Sequence, residues 1–185
     1  VLLDDMGHPS GATIALDGLL QPKVEAEVAF VLGADLVDGD LGPDQVKAAV
    51  DHALAAIEIV DSRIAGWDIA FADTVADNGS SARYVLGTTT RTLTEVEPVD
   101  VAMTMTRNGE VVSTGDGAAC LGDPLLALAW LARTARELGE PLRAGQVILS
   151  GALGPMVAVE PGDTFEAHIS GLGSVSVTFD EEKHA

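Results

Sequence analysis

Lys23-Val24-Glu25-Ala26-Glu27-Val28-Ala29-Phe30-Val31-Leu32-Gly33 is the stretch on which the reading of this chain turns. Its apolar members are β formers or small residues, and its two glutamates fall two apart. In a strand, period two sends Glu25 and Glu27 to one face and Val24, Ala26 and Val28 to the other, where they can enter a core. Two carboxylates on one face repel, and partial burial raises that cost. Solvent relieves it, and so does a cation; ligands made only of oxygen suit a hard ion such as Mg²⁺ or Mn²⁺. On the spacing alone, a half-exposed strand with an acidic outer face is the simpler explanation.

A second carboxylate site appears in Ala56-Ile57-Glu58-Ile59-Val60, a buried strand by composition with Glu58 interrupting it. A charge between two isoleucines is unfavourable unless it is paired or metal-bound. Asp61-Ser62-Arg63 follows, and Arg63 either neutralises the carboxylates or binds substrate. The polar cluster Asp73 to Ser81 reads equally well as a solvated turn or as part of a site.

Around these stretches the chain reads as α+β. Pro43 and Asp44 open a helix over about 43–56, with Val46, Ala49, Val50, Ala53, Leu54 and Ile57 at helical spacing. A second helix runs from the Asp123-Pro124 cap to about Leu138, stopped by Gly139. Short strands are expected at 83–87, 99–107 and 146–150, with Asn108-Gly109 as a hairpin turn. A closing hairpin joins 163–169 to 174–179 through Gly171-Leu172-Gly173.

With 185 residues and 47% hydrophobic residues, one domain with a sizeable core is the default. The 29 acidic against 10 basic residues give a net charge of −19, which disfavours nucleic acid and anionic membrane surfaces as partners. A single cysteine, Cys120, permits no internal disulfide and no cysteine-built zinc site, which fits a reducing cytoplasm. Cys120 reads as a packed small residue, and His52 (on the first helix) and His168 (on a strand) as structural or surface groups. Trp130 is expected in the core or at a subunit interface. The tail Asp180-Glu181-Glu182 is expected to be solvated. No glycine-rich dinucleotide fingerprint follows a strand, so no redox cofactor is expected.

The ordered set of motifs resembles the fumarylacetoacetate hydrolase superfamily, closest to its hydratase/decarboxylase branch and the 2-keto-4-pentenoate hydratases of aromatic meta-cleavage pathways. It comprises Gln21-Pro22-Lys23-Val24-Glu25-Ala26-Glu27, Glu58-Ile59-Val60-Asp61-Ser62-Arg63-Ile64, Asp73-Thr74-Val75-Ala76-Asp77-Asn78, Met105-Thr106-Arg107-Asn108-Gly109, Cys120-Leu121-Gly122-Asp123-Pro124 and Gly151-Ala152-Leu153-Gly154-Pro155-Met156-Val157.

This resemblance implies an α+β fold, a mixed β-sheet roll with two main helices. It implies Glu25, Glu27 and Glu58 as ligands of Mg²⁺ or Mn²⁺, with Asn78, Ser80, Ser150 and Gly151 binding substrate. The activity implied is metal-dependent addition of water to a 2-hydroxy-2,4-dienoate, giving a 4-hydroxy-2-oxoalkanoate after protonation at C5 and attack of water at C4. Asparagine at 78, where the hydrolase branch keeps a lysine, argues against hydrolysis. Trp67-Asp68-Ile69-Ala70-Phe71 resembles the hydratases more than 4-oxalocrotonate decarboxylase, the nearest alternative. The resemblance further implies a cytoplasmic homo-oligomer, with hydratase–decarboxylase pairing known among members.

The family's N-terminal region, with its acid–base lysine and acidic residue, has no counterpart from Val1 onward. Residues 1–185 are therefore expected to form one catalytic-type domain with no assigned acid–base group, and Asp4 and Asp5 are not given that role. A metal-binding fragment or assembly subunit is the alternative from a different class.

Overall fold

The computed structural model describes residues 2, 3 and 5–181. Val1, Asp4 and Glu182 therefore lie outside the described residues. The chain forms two sheets. In the first, β1 (Gly7–Pro9), β5 (Ser81–Leu86), β4 (Val50–Asp61), β3 (Pro22–Leu32) and β8 (Val147–Leu149) lie in that order, with β9 (Val157–Ala158) also pairing with β3. In the second, β2 (Ala12–Ile14), β11 (Gly173–Phe179), β10 (Thr164–Ile169), β6 (Ala102–Arg107) and β7 (Glu110–Asp116) follow one another. β1 with β5 and β2 with β11 pair parallel, while the remaining pairings are antiparallel. The α+β, mixed-sheet expectation matches this architecture.

The main core lies between the sheets. β3 contributes Val24, Ala26, Val28, Phe30 and Leu32 to it, and the second sheet contributes Met103, Met105, Phe165, Ala167, Val175, Val177 and Phe179. Phe165 and Phe179 meet edge to face, 6.1 Å between centroids. The hairpin turn at Asn108-Gly109 has both residues at positive φ (54° and 85°), as a primed turn requires.

Among the described residues there are three α-helices: α1 (Pro43–Ala49), α2 (Phe71–Ala76) and α3 (Pro124–Glu137). The first is half the expected length. Residues 50–56 are strand, because β4 is buried on both faces from Ala53 to Ala56 and an uninterrupted apolar run carries no period. His52 consequently sits on β4 and not on a helix, with Nδ1 2.7 Å from Asp51 Oδ2. α3 follows its predicted bounds; Asp123 caps it by accepting from the Leu125 N–H at 2.8 Å. Trp130 on α3 is 58% exposed, so it does not belong to the core of this chain. Asp180 is not simply solvated: its carboxylate accepts from the Leu16 N–H at 2.9 Å. Among the described residues, no helix is long and apolar enough to cross a membrane.

Candidate metal centre

β3 and β4 run antiparallel with Glu25 directly opposite Glu58 and Glu27 opposite Ala56. Opposed residues share a sheet face, so this register brings Glu58 to the face that carries Glu25 and Glu27. Carboxylate oxygens of the three side chains lie within 4.8 Å of one another. The same face continues into a small apolar cluster of Ala29, Leu54 and Ala56, backed by Val31, Leu86, Val147 and Leu149. The carboxylates thus stand at the edge of an apolar floor.

The electrostatics follow from that placement. Glu27 is 2% exposed, and burial, then the Glu58 charge, raise its pKa well above the usual 4.5. The Gly151 N–H donates to Glu27 Oε2 at 2.6 Å and partly offsets this. Burial also raises the pKa of Glu58, and a hydrogen bond from the Glu27 carboxyl partly offsets this. Glu25 is pushed up to about 7 by burial and the Glu58 charge, against the pull of Lys23. Lys23 lies on the same strand face, its ammonium 4.2 Å from the centre of the Trp67 ring.

The residues fit a hard divalent cation. All three donors are carboxylate oxygens, close enough to converge on one ion, and their mutual repulsion is what a cation would relieve. The Ser81 hydroxyl points the same way. It is buried beside Glu58, close enough to favour the ionised carboxylate, yet has no partner at full hydrogen-bonding geometry.

Ser150 and Gly151 lie against this cluster. Ser150 bonds the β3 backbone through both its N–H (to Val28 O, 2.9 Å) and its hydroxyl (from Val28 N–H, 3.2 Å). The Cys120 thiol donates to Ser150 O at 2.7 Å, so the buried cysteine is packed against the site segment as a small hydrophobe. Asn78 and Ser80 lie on the 3₁₀ turn 78–80, which leads into Ser81 and so to Glu58. Glu25, Glu27 and Glu58 converge, and the other four predicted residues lie on two segments, 78–80 before β5 and 150–151 after β8, next to the strands that carry them.

Arg63 is ion-paired with Asp77 and not with any of the three glutamates. Its guanidinium pairs with Asp77, Nε to Oδ1 at 2.5 Å, and donates to Asp61 O at 2.9 Å. Burial opposes ionisation of Asp77, but bonds from Ser80 and Arg63 outweigh it and hold its pKa below the usual range. His168 bonds Ser174, Nδ1 to Oγ at 3.2 Å, away from the site residues. Sequence reasoning missed Ser81 and the Lys23–Trp67 pair. Period two from Glu25 back to Lys23 was the available signal for the lysine; the Ser80-Ser81 doublet gave none to choose between its hydroxyls.

Comparison with known proteins adds to this geometry. Residues 6–180 match the family model described as fumarylacetoacetate (FAA) hydrolase C-terminal. The chain is 57% identical over 182 residues to a 2-keto-4-pentenoate hydratase from Paraburkholderia xenovorans, covering 98% of this chain and 68% of that one. It is 53% identical to the TodF product hydratase of Pseudomonas putida F1, covering 97% and 67%. A solved 4-oxalocrotonate decarboxylase from Pseudomonas putida G7, complexed with magnesium and adipate, superposes with a TM-score of 0.91 at 38% identity, over 95% of this chain and 67% of that one. The carboxylate cluster therefore sits in a chain that belongs to the fumarylacetoacetate hydrolase family.

Proposed function

We propose that this chain is a metal-dependent hydro-lyase that adds water to a 2-hydroxy-2,4-dienoate to give a 4-hydroxy-2-oxoalkanoate. The observation that carries the reading is the convergence of Glu25, Glu27 and Glu58 within 4.8 Å in a chain 57% identical to a 2-keto-4-pentenoate hydratase. These three side chains would hold the ion, Mg²⁺ or Mn²⁺. When bound, such an ion polarises the 2-oxygen of a chelating 2-hydroxy acid and stabilises the negative charge that develops there.

The chain's own groups supply position and environment. The Gly151 N–H fixes the orientation of Glu27, and the β3–β4 register fixes Glu58 against Glu25. Asn78, Ser80, Ser150 and Gly151 lie on the two segments next to β3 and β4 and are the candidates for shaping the substrate's place; the Ser80 hydroxyl and the Gly151 N–H already donate to Asp77 and Glu27, so those two would act by positioning their neighbours. The apolar cluster around Ala29, Leu54 and Ala56 forms an apolar floor beside the site. Because β3 and β4 are paired along their length, the donors would need little backbone reorganisation on binding.

The solved decarboxylase at TM-score 0.91 favours one second reading, decarboxylation of 4-oxalocrotonate at the same centre. Its identity of 38%, against 57% for the hydratase, ranks it second. The test is turnover. With Mg²⁺ or Mn²⁺, 2-hydroxypenta-2,4-dienoate should lose its conjugated ultraviolet absorbance, and EDTA should abolish the loss. A parallel reaction with 4-oxalocrotonate should release no carbon dioxide. Carbon dioxide release there would move the assignment to the decarboxylase, and no turnover of either compound would sink the hydratase reading.

A further inference from the structure

The turn at Asn78-Gly79-Ser80 is unusual in its backbone. All three residues have positive φ, at 54°, 67° and 58°. Only glycine adopts that region at no steric cost; asparagine tolerates it and serine does so reluctantly. Such a turn persists only where its surroundings hold it. Packing from the preceding segment does not: no residue of α2 is buried, and Phe71 and Val75 stand 85% and 65% exposed.

The hold comes from a polar clamp. Asp77, only 8% exposed, is paired with Arg63 Nε and accepts at Oδ2 from the Arg63 N–H at 3.2 Å and from the Ser80 hydroxyl at 2.9 Å. Its backbone carbonyl accepts from Arg63 Nη2 at 2.5 Å and from the Ser80 N–H at 2.9 Å. Arg63 is in turn anchored to Asp61 O at the end of β4. The Asp61 carboxylate accepts from the Leu20 and Gln21 N–H groups, at 2.9 and 2.6 Å. One chain of charge-assisted bonds thus runs from the sheet that carries Glu58 to the turn that leads into Ser81 beside it.

We propose that Arg63 and Asp77 are positioning residues that hold the 78–80 turn beside the carboxylate cluster, setting affinity for the organic ligand and leaving metal affinity unchanged. This rests on the reading of the site as one for a 2-oxo or 2-hydroxy acid. The three glutamates are carried by β3 and β4 and make no bond to the clamp. A planar fork that reaches the Asp77 carboxylate, the Asp77 carbonyl and the Asp61 carbonyl together has no lysine equivalent, so Arg63→Lys should behave like Arg63→Ala.

The test uses Arg63→Ala, Arg63→Lys, Asp77→Asn and the Arg63→Ala/Asp77→Asn double variant. Mn²⁺ binding is titrated first, then binding of the saturated analogue 2-oxopentanoate to the Mn²⁺-loaded chain. Amide hydrogen exchange is followed at residues 79–81, with 25–28 and 57–59 as internal controls. The Mn²⁺ dissociation constant should stay within about twofold and 2-oxopentanoate should weaken at least tenfold. Exchange should quicken only at 79–81, and the double variant should lose no more than the worse single one, because both act through one clamp. Unchanged 2-oxopentanoate affinity, or Mn²⁺ affinity lost in parallel with exchange quickened across β3 and β4, would overturn the proposal. If the unmutated chain binds Mn²⁺ but no 2-oxo acid, the functional reading fails by itself. Exchange at 79–81 then decides the clamp: quickened in the variants it stands, unchanged it falls.

Discussion

Glu27 carries the main electrostatic tension of the site. It is almost completely buried, faces Glu58, and is restrained by one backbone N–H. All three glutamates have folded pKa values above 4.5, so between that value and about 7 the folded chain binds more protons than the unfolded one. The contribution of these three groups to the stability of the metal-free chain is therefore fully present below about pH 4.5 and is lost as the pH rises towards 7 and beyond. For Glu25, a rise from 4.5 to about 7 corresponds to at most about 3 kcal/mol. Thermal melts in EDTA should show Tm dropping by several degrees between pH 5 and 7.5. Saturating Mn²⁺ should reverse the drop, and Glu27→Gln should flatten it. A Tm in EDTA that stays level or climbs over this interval would refute the account of the carboxylates. Asp35, Asp77 and Glu95, whose pKa values are lowered, act below this window and do not mask it.

At the scale of elements, the site depends on two backbones crossing. At Gly115 on β7, an added Cβ would stand 1.8 Å from Leu153 O, and at Gly154 one would stand 2.7 Å from Thr114 O. The second sheet thus presses on the 150–155 segment, which presents Gly151 to Glu27. Gly115→Ala must push these backbones apart and should cost about 3 kcal/mol or more in urea unfolding. Its Mn²⁺ affinity should fall at the same time, because the Gly151 N–H moves. Unaltered stability would show that the crossing gives way freely. The central strands were readable because their chemistry is local: Glu25 and Glu27 stand two apart, and Glu58 interrupts an apolar run. The length of β4 was not, since Val46, Ala49, Val50, Ala53 and Leu54 satisfy a helical spacing while the later ones belong to a strand buried on both faces. β1 and β2 escaped notice because each has three residues and pairs in parallel with a distant strand. The Arg63–Asp77 clamp spans 14 residues and leaves no periodic trace.

For the molecule as a whole, motif order carried more information than any single motif. A lone pair of glutamates on a strand is commonplace; the sheet topology turns the pair into a cluster by pairing β3 with β4 so that Glu25 opposes Glu58. Family membership and a mixed-sheet α+β fold were thus legible early, while the division into two sheets was not, because the strands of the two sheets are interleaved along the chain; of the two places open to Trp130, core or subunit interface, its exposure removes the core. The central claim is that the three glutamates form one divalent-metal centre, and Mn²⁺ titration of the metal-free chain, followed by electron paramagnetic resonance at pH 7.5, tests it most directly. The account predicts one Mn²⁺ per chain, tightening as pH rises through 7 as the carboxyls lose their protons, with binding weakened at least a hundredfold in both Glu27→Gln and Glu58→Gln. Absence of stoichiometric binding, or binding that survives both substitutions, would contradict it.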